Sequence, residues 1–183
     1  MPGGHARTEL AGTRFANVRW VDETGSTNAD LMERARQGDA EGAVLVADHQ
    51  SAGRGRAGRV WTAPPGAGLL MSILLRPPAE VMDSCTMAVA VSASEAIEEV
   101  AGFAPRLKWP NDLVWPGDGS GVDRKLAGIL AEADWPAGSA ASGGYRARRP
   151  TTAWSWWWAS ASTWPGPTTC PRSSATWPWP ATT

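Results

Sequence analysis

The feature that most restricts what this chain can fold into is a break in composition near residue 136. From Ala137 to Thr183 there is not one Leu, Ile, Val, Met, Phe, Lys, Asp or Glu. A packed core needs aliphatic side chains at a regular period, and no apolar face of helical or strand period can be drawn in that stretch. Such a segment cannot offset its ordering entropy by burial. The expectation for 137–183 is therefore a disordered low-complexity tail of Trp, Pro, Ser, Thr and Ala. Seven of the 12 Trp lie between Trp154 and Trp179, against 1 Tyr and 2 Phe in the whole chain. Residues 1–136 differ, with Leu, Ile, Val and Met spread among charges of both signs. One domain is expected there, since a domain runs to roughly 150 residues.

The totals narrow the function classes. A net charge of -1 with 19% charged residues offers no field for non-specific nucleic-acid binding and no acidic tail. Cys85 and Cys170 are far apart, which gives neither a disulfide framework nor a metal-ligand spacing. The first thirty residues carry Arg7, Glu9, Arg14, Asp22 and Glu23 without a long apolar run, so no signal peptide is read. The longest apolar stretch, Gly68 to Leu75, is far short of the roughly 18 residues of a membrane span. A cytoplasmic location and no membrane partner are the expectations.

Local signals order the first 136 residues. Gly25-Ser26-Thr27-Asn28 ahead of Ala29 to Gln37, with Gly38 behind, predicts a capped helix. Val44 to Ala47 reads as a brief strand, and the Gly/Arg/Pro-rich stretch from Asp48 to Gly68 as a long loop of the kind used for lids and binding loops. Leu69 to Leu75 predicts a buried strand and Val81 to Ala101 a helix. Arg106 to Trp109 and Asp112 to Trp115 read as strand pieces around Pro110-Asn111. A hairpin turn at Gly117 to Gly121 then leads into Arg124 to Leu130. The fold class is α/β, a mixed and largely antiparallel sheet flanked by helices.

Gly53-Arg54-Gly55-Arg56-Ala57-Gly58-Arg59-Val60-Trp61 matches the spacing of a dinucleotide fingerprint and of a kinase lid. Context removes both. The prolines at Pro64 and Pro65 follow where a helix must open, and neither HRD nor DFG occurs downstream. The P-loop fails as well, because Arg59-Val60 stands where Lys and Ser or Thr are needed. What remains is three guanidiniums on a glycine-rich segment, able to give a polyanion bidentate hydrogen bonds. The competing readings are a solvated basic loop and an RG-type nucleic-acid contact. Lys108-Trp109-Pro110-Asn111-Asp112 sets a cation, a rigid turn, an amide and a carboxylate within five residues, a set suited to a phosphoanhydride. Alone, Lys108 reads as a surface lysine and Ser26-Thr27-Asn28 as a helix cap. Free N–H groups at a helix start also bind ligand oxygens.

Taken together, Ser26-Thr27-Asn28, Gln50 to Trp61, Lys108 to Asp112 and Lys125-Leu126-Ala127-Gly128-Ile129-Leu130 resemble biotin protein ligases in order and spacing, over about residues 20 to 132. The resemblance is to the short forms without an N-terminal DNA-binding domain, so no DNA partner is implied. It implies the biotin/lipoate ligase catalytic-core fold. It also implies ATP-dependent formation of biotinyl-5'-AMP, with Mg²⁺ accompanying ATP, and transfer of biotin to a lysine of a carboxylase's biotin carboxyl carrier domain. Two anions meet in the first step, so positive charge must be in place beforehand. By resemblance the catalytic residues are Lys108, Arg54 and Arg56. The biotin-binding set is Ser26, Thr27, Asn28, Gln50, Arg54, Gly55, Arg56, Lys108 and Gly128. The ATP-binding set is Arg54, Arg56, Arg59, Trp61, Asn111 and Lys125. Asp112 either steers the carrier lysine or helps hold Mg²⁺; no metal site follows from a protein motif. The alternatives are an RG-loop nucleic-acid module and a non-functional fragment.

The resemblance also implies a further strand of the type G-I-G-x-N and a small SH3-like domain, neither legible after Glu132. Trp has the single codon TGG. Read from the third base of each codon, Trp156 to Ala159 must specify Val-Val-Gly, and the following triplets permit Ile-Gly-Leu-Asn-Val. The expectation is that the reading frame slipped by one base between about Glu132 and Trp154, leaving a partial catalytic domain at 1–136. Without the family strand, the sheet edge beside Leu126 to Leu130 is expected to lie open and the activity to be impaired.

Overall fold

The computed structural model describes residues 2–115, 123–134 and 151–158. A short helix α1 (Pro2–Glu9) precedes strand β1 (Val18–Thr24), helix α2 (Thr27–Arg36) and strand β2 (Val44–Gln50). After the glycine-arginine loop come strand β3 (Leu70–Leu75), helix α3 (Met82–Ala101) and strands β4 (Arg106–Lys108), β5 (Asp112–Trp115), β6 (Arg124–Asp134) and β7 (Thr151–Trp158). All seven strands form one sheet in the order β1-β2-β3-β7-β6-β5-β4. Only β1 and β2 run parallel; every other neighbouring pair is antiparallel. The expected mixed, largely antiparallel α/β architecture is the one observed.

Alternation along the strands sends side chains to two faces. On one face Val18, Val44, Val46, Met71 and Ile73 pack with Ala6 and Leu10 from the region of α1. Farther along the sheet, Ala90, Ala93 and Ile97 of α3 meet Leu113, Ala127 and Ile129. The register puts these clusters on the same side, because Met71 and Ile129 both stand opposite Trp156 of β7. The other face receives Leu31, Met32 and Ala35 of α2 against Leu45 and Leu74. That face also carries Ser72, fully buried within β3.

Two expectations are corrected here. Composition predicts no element in the tail, yet Thr151–Trp158 is a strand, hydrogen-bonded to β3 on one side and β6 on the other. Aliphatic periodicity is not what holds it: Thr and Trp favour extended backbone, and the gap between two strands supplies partners to both its backbone edges. The sheet edge expected to lie open beside Leu126 to Leu130 is thereby closed, with Ile129 opposite Trp156 and Leu130 opposite Ser155. The remaining tail residues, 137–150 and 159–183, lie outside the described residues, as does the turn expected at 117–121. The second correction concerns strand limits. β2 continues to Gln50 and β6 to Asp134, so the long loop begins later and the last motif strand ends later than their apolar runs indicate.

Candidate active site

Two polar assemblies meet on the α2 face of the sheet. The first is a buried nest at the start of α2. Ser26 is the N-cap, its Oγ accepting from the Ala29 amide at 3.4 Å. Gln50 Oε1 accepts from both the Thr27 amide (2.7 Å) and Thr27 Oγ1 (3.0 Å), which satisfies one of the amides that a helix start leaves unpaired. Thr27 Oγ1 also lies 2.7 Å from Ser72 Oγ. Asn28 Nδ2 donates to Glu132 Oε2 at 2.7 Å. Ser26, Thr27, Asn28 and Gln50, all predicted, are at most 5% exposed. Asn28 Oδ1 is buried without a hydrogen-bond partner, and a buried acceptor in that state carries a desolvation cost of about 1–3 kcal/mol.

The second assembly is an open cleft of about 530 Å³, lined by Arg54, Arg56, Arg59 and Trp61 from the loop and by Asn111, Asp112, Lys125 and Gly128 from β5, β6 and the turn before them. The loop is closed on itself. Arg54 bridges to Val60, the Gly55 amide donates to the Arg59 carbonyl at 2.8 Å, and the Trp61 amide donates to the Gly53 carbonyl at 2.9 Å. Ala57 sits at φ 55°, a left-handed conformation uncommon outside glycine, within a single 3₁₀ turn from Arg56 to Gly58. Arg56 Nη1 donates to Asn111 Oδ1 (3.1 Å), and Asn111 Nδ2 donates to the Ile129 carbonyl (2.9 Å). Lys125 Nζ lies 2.7 Å from Asp112 Oδ1 and 5.5 Å from the centre of the Trp61 ring. A Cβ added at Gly128 would come within 3.0 Å of Lys125 Nζ, so the glycine makes room for the ammonium group.

Arg54 joins the two assemblies, its Nη2 lying 3.2 Å from the same Glu132 oxygen that Asn28 holds. Glu132 and Ser72 were not singled out from sequence. Glu132 is two residues beyond the motif strand, and nothing marks a lone serine in β3 as facing a helix start.

Lys108, predicted as the principal catalytic cation, is not among the residues lining the cleft. It is exposed on β4 at the sheet edge, paired in register with Asp112, so it shares the cleft's face one strand farther out. The Trp109–Pro110 peptide that follows it is cis, and Trp109 is exposed. The cation inside the cleft on the sheet side is Lys125. No cluster of three or more metal-ligating side chains occurs among the described residues, and none of their helices is long and apolar enough to cross a membrane.

The mixed sheet thus carries a capped helix on one face, with the glycine-arginine loop over the strand that bears Lys125. Residues 20–138 match the model of the Biotin/lipoate A/B protein ligase family, and the chain belongs to that family. It is similar to the biotin--[acetyl-CoA-carboxylase] ligase of Mycobacterium tuberculosis, 39% identical over 133 residues covering 69% of this chain and 48% of that protein. It is also similar to the bifunctional ligase/repressor BirA of Bacillus subtilis, 38% identical over 128 residues covering 69% of this chain and 37% of that one. The biotin protein ligase from Aquifex aeolicus, solved in complex with biotin and ATP, superposes with a TM-score of 0.60 at 30% identity, covering 79% of this chain and 52% of that one. The chain thus spans about half the length of the relatives it matches or less.

Proposed function

We propose that this chain is the catalytic core of a biotin protein ligase, joining biotin to the α-phosphate of ATP and then passing the biotinyl group to a lysine of a carrier domain. The observation that carries the reading is the continuity of nest and cleft through Arg54. Biotin is a neutral ureido ring at one end and a carboxylate at the other, and the two assemblies match those ends. The unpartnered Asn28 Oδ1 would accept a ureido N–H, while Ser26, Thr27 and Gln50 supply further polar groups around the ring. Arg54, Arg56, Arg59 and Lys125 would draw the carboxylate and the triphosphate together against their mutual repulsion.

In the first step a carboxylate oxygen attacks the α-phosphorus, an O–P bond forms, and pyrophosphate departs with the electrons of the broken P–O bond. In the second the carrier's lysine amine attacks the acyl carbon, AMP leaves and the amine loses a proton. Lys125 takes the bridging place between carboxylate and α-phosphate in this reading, with Lys108 a second cation at the rim. Asp112, held by Lys125, is released for the incoming amine once that lysine turns to phosphate. Mg²⁺ would travel with ATP. The carrier domain as partner, a cytoplasmic location and the slipped frame upstream of Trp154 belong to the same reading. The nucleic-acid alternative loses support because Arg54, Arg56 and Lys125, though exposed, are each already paired with a side chain of the cleft or the nest, Glu132, Asn111 and Asp112.

Isothermal titration decides it. Biotin should bind, and ATP with Mg²⁺ added to the biotin-loaded protein should release pyrophosphate. Silence in both, with single-stranded nucleic acid binding instead and weakening steeply with salt, would overturn the proposal.

A further inference from the structure

We infer that Glu132 is an internal carboxylate that holds Arg54 until an anionic ligand replaces it, and so tempers the affinity for the free acid while leaving that for its amide unchanged. The inference rests on the biotin reading of the site. One oxygen of Glu132 receives Asn28 Nδ2 at 2.7 Å and faces Arg54 Nη2 at 3.2 Å. The two partners are unequal. Asn28 is buried within α2 and fixed, whereas Arg54 rides on a loop between Gly53 and Gly55, its side chain 48% exposed and lining the cleft. Glu132 is therefore anchored from its buried side, and the guanidinium is the partner free to move.

A half-exposed ion pair is a weak hold, because water competes for both ends. A ligand carboxylate competes with the same chemistry as Glu132 and can take the guanidinium; a neutral carboxamide cannot. The reaction turns the first kind of ligand into the second: the substrate is a free acid, the product a biotinyl amide. Glu132 would thus yield Arg54 to the substrate and recover it from the product, which returns the loop to its ligand-free pairing when transfer is complete.

The test uses the full chain and Glu132→Gln, whose amide oxygen can still accept from Asn28 but carries no charge for Arg54. Titration with biotin and with biotinamide reads the effect. Biotin should bind about three- to tenfold more tightly to the variant while biotinamide changes less than about twofold. In an Arg54→Ala background the gain for biotin should shrink below about twofold. Without ligand, trypsin should cleave after Arg54 faster in Glu132→Gln than in the parent. Equal shifts for acid and amide, a gain that survives Arg54→Ala, or unchanged cleavage would overturn the inference while leaving biotin binding intact. Failure of the parent chain to bind biotin would instead overturn the reading of the site, and this inference with it, whereas loss of binding in the variant alone overturns only the inference. Should Glu132→Gln unfold, as circular dichroism would show, Glu132→Asp serves: its carboxylate is one methylene too short to span both partners, and the same pattern is expected.

Discussion

Lys108 and Lys125 illustrate what a residue's neighbours in sequence do and do not reveal. Lys108 sits in a motif dense with polar groups, but three residues of edge strand leave it exposed at the rim. Lys125 opens a motif that reads as a plain apolar strand, yet its ammonium is held over the cleft by Asp112, Trp61 and the space beside Gly128. Lys125→Ala should therefore lower pyrophosphate release by about 10²–10³, the loss typical of a preplaced charge at a reacting centre. Lys108→Ala should cost no more than about tenfold, since a rim charge acts through solvent. Steady-state pyrophosphate assays on the two variants check this, and the reverse ranking would return the principal role to Lys108. Gly128→Ala should mimic a weaker Lys125 defect by pushing the ammonium off Asp112. The buried nest was more legible: Ser26, Thr27 and Asn28 are cap residues before a helix-forming run, and Gln50 lies in the same family pattern. Ser72 and Glu132 were not, because their importance comes from which strands become neighbours, and that is a property of topology.

At the scale of elements, helices with caps and strands with apolar runs were readable, and the exceptions have physical reasons. The segment forming α1 holds Pro2, Gly3 and Gly4, all poor helix interior residues, and it forms against β1, where Arg7 Nε donates to the Val18 carbonyl at 2.7 Å. In β1, Trp20, Asp22 and Glu23 interrupt any clean alternation; the strand forms because β2 offers a parallel partner, and Trp20 Nε1 donates to Asp48 Oδ1 at 2.8 Å. β7 is the extreme case, a strand with no Leu, Ile, Val or Met, defined by having partners on both edges. Ser155→Pro, opposite Ser72 on one side and Leu130 on the other, removes a ladder donor in mid-sheet and should destabilise the protein by at least about 1–3 kcal/mol. A denaturant midpoint indistinguishable from that of the parent would mean that β7 is dispensable.

Over the whole molecule, the same strand decides how the two versions of the chain compare. With β7 closing the sheet, biotin binding by the chain as given is expected to be measurable. Transfer to a carrier domain should rise at least about tenfold when a one-base shift upstream of Trp154 restores the Val-Val-Gly reading at 156–159, about 1.4 kcal/mol of transition-state stabilisation or more. Equal turnover by the two proteins would refute the slipped frame. Among the described residues β7 is also the only strand whose backbone ladder joins β1-β2-β3 to β6-β5-β4. Each of these half-sheets is zipped from strands close in sequence, whereas β7 must return across roughly 75 residues to reach β3, a closure that is slow because its entropy is lost before the contacts form. A ribosome making this chain would release two short ribbons before the strand that staples them together, and the last strand of the sheet to be made, not the first, would set the moment at which the protein becomes one cooperative unit.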